Sequence, residues 1–517
     1  MKSFRIMGAG ALALILTVAS ASVWAQTAPT PDVAKALISR TAVSDWTVFG
    51  TGQNQGFIRD AAAPRRSALR IEIAEPAAGA NPWDVTASIL STRDIKKGDR
   101  VIAAFWARTD GQPGKFSARL QGEDAPYTGL GGADLTADAS WRFYIVEGDA
   151  PQDFPAGRAG LVLMMNTAKQ TLVLGRAFLL DNLARRDGLE AALQAVPAGE
   201  AEDFVVEVAP GIRLAATLRT PPGKGPFPAL MEITGSGSLG RNKDEAVSLA
   251  LLDHGVAVLQ YDKRGMTPTL RGDSPAASAT LTQLISDAGA LERWLRERPE
   301  VDSRRAGVLG ASQGGLIAAA IAAKDPSIRF VVSLAGPAAP MSEIALRQDE
   351  FSLQNQGQSP AQIAENLKIL RAVIAGMRAA QTDDDAAVTV KAALAPYVAS
   401  GPLPQAVADQ LARDAPETRS QMVYDPAGDL RQTRAPFLAL FGSLDHYVPP
   451  DDNVPAFRAG LAADKDVTII VLPGYNHVFQ PHAKTGTVEE WTQSKEPMAA
   501  DPAFLKIITD WVALHTK

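Results

Sequence analysis

The chain has 517 residues, of which 46% are hydrophobic and 21% charged, and its formal net charge is −6. These values are ordinary for a globular protein of two domains, and the acidic balance without any basic block disfavours nucleic acid as the main partner. The chain contains no cysteine, which excludes thiol nucleophiles, thiolate metal sites and a disulfide framework.

The N-terminal segment has the pattern of a secretory signal peptide. Lys2 and Arg5 precede the apolar run MGAGALALILTV, and Val23 and Ala25 occupy the −3 and −1 positions of a cleavage site. We therefore expect residues 1–25 to be removed. The apolar run is short for a membrane span, although an uncleaved anchor stays an alternative. The expected product is a periplasmic or secreted protein with no membrane partner after cleavage.

Residues 26–187 predict an all-β domain. Short alternating or apolar segments such as ALRIEIA, RVIAAFWAR and TLVLGRAFLLDNL are separated by turns such as KKGD and GQPG. Short strands at fairly regular spacing are typical of a sandwich or jelly roll. Four tryptophans fall in this part of the chain: Trp46, Trp83, Trp106 and Trp141.

The pattern changes after this domain. Residues 188–202 form a polar, Ala-rich connector, and strands alternate with helices over residues 203–517. A predicted hairpin, FVVEVAPGIRLAATLRT, is followed by strand-like runs such as VAVLQYD, RAGVLGAS and DVTIIVLPG. This alternation predicts an α/β fold with a mostly parallel sheet covered by helices. Residues 339–432 interrupt it with helix-like sequence, so we expect them to form a cap outside the sheet.

The pentapeptide GASQG has the pattern G-x-S-x-G around Ser312. With 42 glycines in the chain the pattern alone is a weak signal, but this one ends a predicted strand and opens a predicted helix. A nucleophile elbow requires that context, because the sharp turn exposes the serine and the helix points its positive end at it. Ser312 is therefore the candidate nucleophile, and an ordinary Gly-rich turn is the alternative.

A nucleophilic serine needs a base, and the base needs an orienting acid. Among five histidines, His477 follows the last predicted core strand, in LPGYNHVF, where it would reach the carboxyl edge of the sheet. Asp445 lies just beyond the preceding strand, in LALFGSLDHYVPP. Asp262 is also at a strand end, but its YDKRG context favours a structural turn. The histidines given lower weight are His254, His446, His482 and His515.

Residues 203–517 resemble the α/β-hydrolase superfamily, and more narrowly its capped bacterial esterases. The resemblance rests on ITGSGS, YDKRG and GASQGG, followed in order by GSLDHYVP and GYNHVF. The chain departs from the pattern after DKRG, where it has MTPT in place of a glycine-rich continuation. Gln313, directly after the nucleophile, is expected to supply one backbone N–H of an oxyanion hole. The resemblance assigns the second N–H to Ser236.

The GSG turn also fits the dinucleotide-binding pattern G-x-G-x-x-G, with Asp262 about twenty residues downstream. This alternative is weak because RNKD separates the third glycine from helix-like sequence. Export would also remove the protein from the nicotinamide pool. No metal-ligand motif or phosphate loop occurs, so no cofactor and no metal are implied.

The sequence therefore predicts an exported serine hydrolase that cleaves small-molecule carboxylic esters through an acyl-enzyme intermediate. A serine peptidase of the same fold, a thioesterase and a non-catalytic glycan-binding protein stay open as alternatives. The N-terminal domain loosely resembles carbohydrate-binding modules in its strand order and its Trp and Gly placement. That resemblance makes an acylated carbohydrate a candidate substrate, whereas a structural role is the commoner one for tryptophans in such a sandwich.

Overall fold

The structure is a computed structural model that describes residues 32–64, 66–237, 240–242, 245–264 and 279–517. The expected signal peptide and the MTPT segment lie outside the described residues. Two sheets organise the rest of the chain, the first antiparallel and the second mainly parallel.

The first sheet has ten strands in the spatial order β1-β4-β9-β6-β7-β8-β5-β10-β3-β2, and its neighbours pair antiparallel. The strands are β1 Thr47–Gly50, β2 Gln53–Arg59, β3 Ser67–Ile73, β4 Val85–Leu90, β5 Arg100–Thr109, β6 Gly114–Gly122, β7 Gly129–Ala137, β8 Arg142–Asp149, β9 Ala159–Met164 and β10 Gln170–Asp181.

This sheet folds over on itself around a core. Phe105 in β5 and Phe116 in β6 have ring centroids 6.3 Å apart, although β7 and β8 lie between their strands in the sheet. At about 4.8 Å per strand, a flat sheet would hold them about 14 Å apart. Both rings belong to one cluster of buried side chains. Residues 47–181 therefore form an antiparallel sheet around its own core, which is compatible with the all-β domain that the sequence predicts.

Three of the four tryptophans of this domain are built into its packing. Trp46 and Trp106 are buried, and Trp141 is half-buried with its indole N–H bonded to Asp60. The indole N–H groups of the first two also have acceptors. Trp83 is 59% exposed. These contacts favour the structural interpretation for all but Trp83.

The second sheet has eight strands in the order β11-β12-β14-β13-β15-β16-β17-β18. They are β11 Glu200–Ala209, β12 Ile212–Thr220, β13 Phe227–Ile233, β14 Ala257–Tyr261, β15 Val301–Ala311, β16 Val331–Leu334, β17 Phe437–Gly442 and β18 Val467–Leu472. β11 and β12 form the predicted hairpin, and β12 pairs antiparallel with β14. The five pairings from β14 to β18 are parallel.

Helices cover both faces of the second sheet. The described helices are α1 Val33–Ala36, α2 Leu189–Ala195, α3 Ala246–Asp253, α4 Leu281–Arg296, α5 Gln313–Lys324, α6 Met341–Asn355, α7 Pro360–Ala379, α8 Ala386–Ala399, α9 Gln405–Met422, α10 Ala427–Gln432, α11 Pro450–Gly460, α12 Val488–Gln493 and α13 Pro502–His515. One face packs against α4 and α5, and the other against α3 and α13. Within the described ranges, no helix combines the length and apolarity needed to cross a bilayer.

Helices α6 to α10 are inserted between β16 and β17, in the range where the sequence predicts a cap. Side chains of α7, α8 and α9 share a small core of their own, which includes Val373, Leu394 and Ala408. α10 differs, because its Leu430 is fully buried in the core that the second sheet forms with α4 and α5. The separate cap core is therefore shorter than the predicted range of 339–432.

The connector predicted at 188–202 is structured. Its α2 buries Leu189 and Leu193 against the first sheet, since leucines four residues apart share one face of a helix. The second sheet already begins within this range. Ser67 of β3 donates its hydroxyl to the carbonyl oxygen of Ala201 at 2.6 Å and accepts from the N–H of the same residue at 3.1 Å. The two sheets are thus joined by direct hydrogen bonds.

Candidate active site

Ser312 lies in a sharp turn between β15 and α5. Its backbone has φ 53° and ψ −121°, a strained conformation for a residue with a side chain, which costs about 1–3 kcal/mol. Its N–H donates to the carbonyl of Leu334 at 2.8 Å, and its carbonyl accepts from the N–H of Gly315 at 2.9 Å. Hydrogen bonds on both sides thus hold the turn, as a nucleophile elbow requires.

Close backbone contacts explain why both outer positions of G-x-S-x-G are glycine. A Cβ atom on Gly310 would lie 2.0 Å from the carbonyl oxygen of Gly314. A Cβ atom on Gly314 would lie 2.0 Å from the carbonyl oxygen of Ile233 at the end of β13. The elbow therefore packs against the strand from which the GSG turn departs, and only hydrogen fits at either position.

Asp445 and His477 lie together. The Nδ1 atom of His477 is 2.8 Å from Oδ2 of Asp445, whose side chain is fully buried. The Oδ1 atom accepts hydrogen bonds from the backbone N–H groups of Tyr447 at 2.9 Å and Val448 at 2.8 Å. Because both carboxylate oxygens are held, Asp445 favours the tautomer with the proton on Nδ1. The Nε2 atom is then the one that can accept a proton.

The three candidate catalytic residues follow three strands of the parallel part of the sheet. Ser312 follows β15, Asp445 follows β17, and His477 follows β18. Carboxyl ends of parallel strands meet at one edge of a sheet, where such folds place their sites. The loops after β17 and β18 also touch, since the N–H of Leu444 donates to the carbonyl oxygen of Tyr475 at 2.9 Å.

Aromatic side chains surround the imidazole of His477. The ring of Trp491 stacks on it with centroids 5.6 Å apart, and the ring of Tyr447 lies 5.7 Å from it and 4.8 Å from Trp491. Phe351 of α6 stacks on His446 at 4.2 Å and lies 6.1 Å from Tyr447. We call the rings of Phe351, Tyr447 and Trp491 the aromatic wall. The sequence analysis did not identify it because its members lie far apart in the chain, in α6, in the loop after β17 and in α12.

Two of the other histidines have structural contacts far from this edge. His254 ends α3 and its Nδ1 lies 2.8 Å from the carbonyl of Ala250, as expected of a capping residue. The Nε2 atom of His515 lies 3.0 Å from Asp466, which directly precedes β18 at the opposite edge of the sheet. In the described parts of the chain, no group of three or more His, Asp or Glu side chains could hold a metal ion.

Lys263 links the two predicted oxyanion donors. Its Nζ atom donates to the carbonyl of Gly235, which precedes Ser236, at 2.6 Å and to Oε1 of Gln313 at 3.0 Å. The Nε2 atom of Gln313 donates in turn to Oε1 of Gln421 in α9 at 2.7 Å. Gln313 is also the first residue of α5, so its backbone N–H has no acceptor within the helix. Burial lowers the pKa of Lys263 to about 8.

Asp262 anchors the GSG loop. Its Oδ1 accepts from the backbone N–H of Arg241 and its Oδ2 from the guanidinium of that residue, both at 2.9 Å. Arg241 also donates to Asp203 at 3.1 Å, and Asp203 accepts from the N–H of Phe57 in the first sheet at 2.7 Å. These bonds agree with a structural role for Asp262 rather than a ribose contact. They connect the loop to the N-terminal domain.

The part of the chain that carries these residues has known relatives. Residues 235–490 match the model of the alpha/beta hydrolase family. Esterase EstD of Thermotoga maritima is 26% identical over 287 residues, which cover 54% of this chain and 60% of EstD. An uncharacterised protein of Mycobacterium tuberculosis is 30% identical over 142 residues, which cover 28% of this chain and 47% of that protein. The chain thus matches less than two thirds of either relative.

Some solved structures are also similar. Acetyl xylan esterase 1 from Thermoanaerobacterium sp. is 18% identical over 62% of this chain and 85% of its own, with a TM-score of 0.37. An esterase of Pyrococcus furiosus is 15% identical over 62% of this chain and 92% of its own, also with a TM-score of 0.37. The segment 235–490, which matches the alpha/beta hydrolase family model, contains all five predicted site residues.

Proposed function

We propose that this protein is a serine hydrolase that cleaves carboxylic esters. The observation that carries the proposal is the buried Asp445, held by two backbone N–H groups and bonded to Nδ1 of His477. Ser312, in its strained turn, ends a parallel strand at the same edge of the sheet. A buried carboxylate fixed in this way is arranged to orient and stabilise an imidazolium.

The proposed reaction uses Ser312 as the nucleophile and His477 first as a base and then as an acid. Oγ of Ser312 attacks the ester carbonyl carbon while Nε2 of His477 accepts the hydroxyl proton. Negative charge moves to the carbonyl oxygen, which the backbone N–H groups of Gln313 and Ser236 stabilise. The tetrahedral intermediate expels the alcohol, which takes the proton from His477 and leaves an acyl group on Ser312. Water then attacks the acyl carbonyl and gives a proton to Nε2 of His477, which passes this proton to Oγ of Ser312 as the bond between Oγ and the acyl carbon breaks and the acid leaves.

The likeness to EstD supports ester chemistry in particular, since that relative is named an esterase and matches 54% of this chain. The leaving alcohol is protonated by His477, so it departs next to the rings of Trp491 and Tyr447. These rings support a substrate whose alcohol part has an apolar or aromatic face. We propose export as well, because the N-terminal segment has the signal-peptide pattern, and an acylated carbohydrate is one substrate to test.

Initial rates on p-nitrophenyl acetate, butyrate and octanoate, beside aminoacyl p-nitroanilides, test the proposal. We expect ester turnover that Ser312→Ala abolishes and that Ser140→Ala, at an exposed serine of the first domain, leaves unchanged. Dominant anilide cleavage would instead make the protein a peptidase. No turnover of any substrate, together with no labelling by a fluorophosphonate, would favour the non-catalytic alternative.

A further inference from the structure

Lys263 is a buried ammonium group that the proposed chemistry does not use. It directly follows Asp262 at the end of β14 and is 4% exposed. Within the described ranges, its hydrogen-bond acceptors are the carbonyl oxygen of Gly235 and the side-chain oxygen of Gln313, and no carboxylate pairs with it. Burying a charge without an opposite charge is unfavourable. Its position beside the GSG turn and the elbow therefore needs an explanation.

The bond to Gly235 sets the direction of the Ser236 N–H. The described cis peptide bonds lie elsewhere, at Ala125–Pro126 and Gly225–Pro226, so the peptide between residues 235 and 236 is trans. In a trans peptide, the carbonyl oxygen and the N–H point to opposite sides. The ammonium on the carbonyl side therefore turns the N–H away from Lys263. A charge-assisted hydrogen bond resists rotation of the peptide out of this orientation.

The same ammonium holds the residue that carries the other donor. Gln313 is 8% exposed, and its amide accepts from Lys263 and donates to Gln421 of the cap helix α9. The start of α5 is thereby tied both to the GSG turn and to the cap. We call this run of three hydrogen bonds, from Gly235 through Lys263 and Gln313 to Gln421, the oxyanion clamp.

We propose that Lys263 is a positioning residue for the oxyanion hole, and that Gln421 makes the geometry of the hole depend on the cap. Lys263 acts through the backbone donors and does not touch the substrate. The inference rests on the proposed function, because the clamp matters for catalysis only if Gln313 and Ser236 stabilise an oxyanion. It also explains why a lysine occupies a turn that sequence analysis interpreted as structural.

Lys263→Met keeps the length of the side chain and removes its donors. We expect kcat for p-nitrophenyl butyrate to fall about 10- to 100-fold with KM changed by less than about threefold, since a displaced donor weakens the transition state rather than ground-state binding. The affinity of a trifluoromethyl ketone, whose adduct with Ser312 carries the oxyanion, should fall by a similar factor. An ether analogue without a carbonyl group should bind as before. If Lys263 only stabilised the fold, its loss would not change the ratio between the affinities for the ketone and for the ether.

Gln421→Ala is the second variant, and Gln410→Ala on an exposed face of the same helix is its control. The clamp predicts a fall in kcat of about 3- to 10-fold for the first and none for the second. The double variant with Lys263→Met should lose no more than Lys263→Met alone, because both changes break one chain of bonds. If Lys263→Met fails to fold, an unchanged kcat in Gln421→Ala overturns the inference.

A crystal structure of Lys263→Met separates this inference from the proposed function. The clamp predicts that the peptide between residues 235 and 236 rotates or becomes disordered, whether or not the wild-type protein cleaves esters. An unchanged peptide with an unchanged kcat would overturn the role of Lys263 while leaving the esterase proposal intact. A wild-type protein without Ser312-dependent turnover would overturn the esterase proposal instead.

Discussion

Two ion pairs, one in a loop of the first domain and one beside the GSG and DKRG turns, lie in different surroundings. The Lys96–Asp94 pair, in the loop between β4 and β5, lies in solvent, with side chains 60% and 55% exposed. Beside the GSG and DKRG turns of the second sheet, the side chains of the Arg264–Asp287 pair are only 12% and 2% exposed. Exposed pairs contribute little to stability, whereas buried charged groups are costly unless they are held in place. The candidate site therefore lies beside buried charged groups whose positions are fixed by their partners, such as Arg264 and Asp287.

The largest effect is expected at the base. His477→Ala should lower kcat at least about 1,000-fold, because Ser312 then has no group to accept its proton. His446→Ala, at the neighbouring aromatic wall, should lower kcat less than about tenfold. The pair is compared by initial rates on p-nitrophenyl butyrate. An equal fall in kcat in the two variants would contradict the assignment of His477, rather than His446, as the base.

The next largest effect is expected in the turn around Ser312. Gly314→Ala places a methyl group 2.0 Å from the carbonyl oxygen of Ile233, and we expect it to destabilise the protein by about 1–3 kcal/mol. Gly289→Ala in α4 is the matched control, since its Cβ would meet only ordinary contacts at 3.5 Å and beyond. The control should be neutral or stabilising by up to about 1 kcal/mol. Urea unfolding measures both, and equal stabilities would refute the steric account of the motif.

The junction between the two sheets gives a smaller effect. Ser67→Ala removes a buried hydroxyl that serves both backbone groups of Ala201, and should cost about 1–2 kcal/mol. Ser117→Ala removes an exposed bond to Asp134 and should cost less than about 0.5 kcal/mol. Urea unfolding followed by tryptophan fluorescence measures both. If Ser117→Ala lowered the free energy of unfolding as much as Ser67→Ala does, burial of the hydroxyl would not explain the effect at Ser67.

The smallest effect concerns pH. Burial and the neighbouring carboxylate of Glu232 raise the pKa of Glu245, the N-cap of α3, to about 8. A raised carboxyl pKa means that the folded state binds more protons than the unfolded state between about pH 4.3 and 8. Stability from this group is therefore present below that window and is lost as the pH rises through it.

Glu245→Gln should flatten this part of the pH–stability curve. Thermal unfolding between pH 5 and pH 8 measures the slope, and Glu75→Gln at an exposed position is the control. If the wild-type and Glu245→Gln curves run parallel, the carboxyl group does not titrate in the folded protein as the buried surroundings require.

The catalytic candidates could be predicted from short sequence patterns, because strand ends and turns depend on residues that are close in the chain. Ser312 could be predicted from its glycines, since the turn needs small residues within two positions of the serine. Asp445 and His477 could be placed because parallel strands deliver their carboxyl ends to one edge.

The remaining features depend on contacts between distant parts of the chain. Trp491 stacks on His477 only because α12 folds back over the loop after β18. Lys263 meets Gln313 across 50 positions of sequence, and no local pattern reports such a contact. The helix from Leu189 was missed for another reason: its Ala-rich composition is also that of a connector, and the burial of its leucines requires the first sheet.

The measurement that tests the central claim most directly is the identification of the nucleophile. The protein is treated with a fluorophosphonate, digested, and its peptides are sequenced by mass spectrometry, with Ser312→Ala treated in parallel. The account predicts one modified residue, Ser312, loss of ester turnover in proportion to labelling, and no modification in the variant. Labelling of another serine, or full ester turnover in Ser312→Ala, would contradict it.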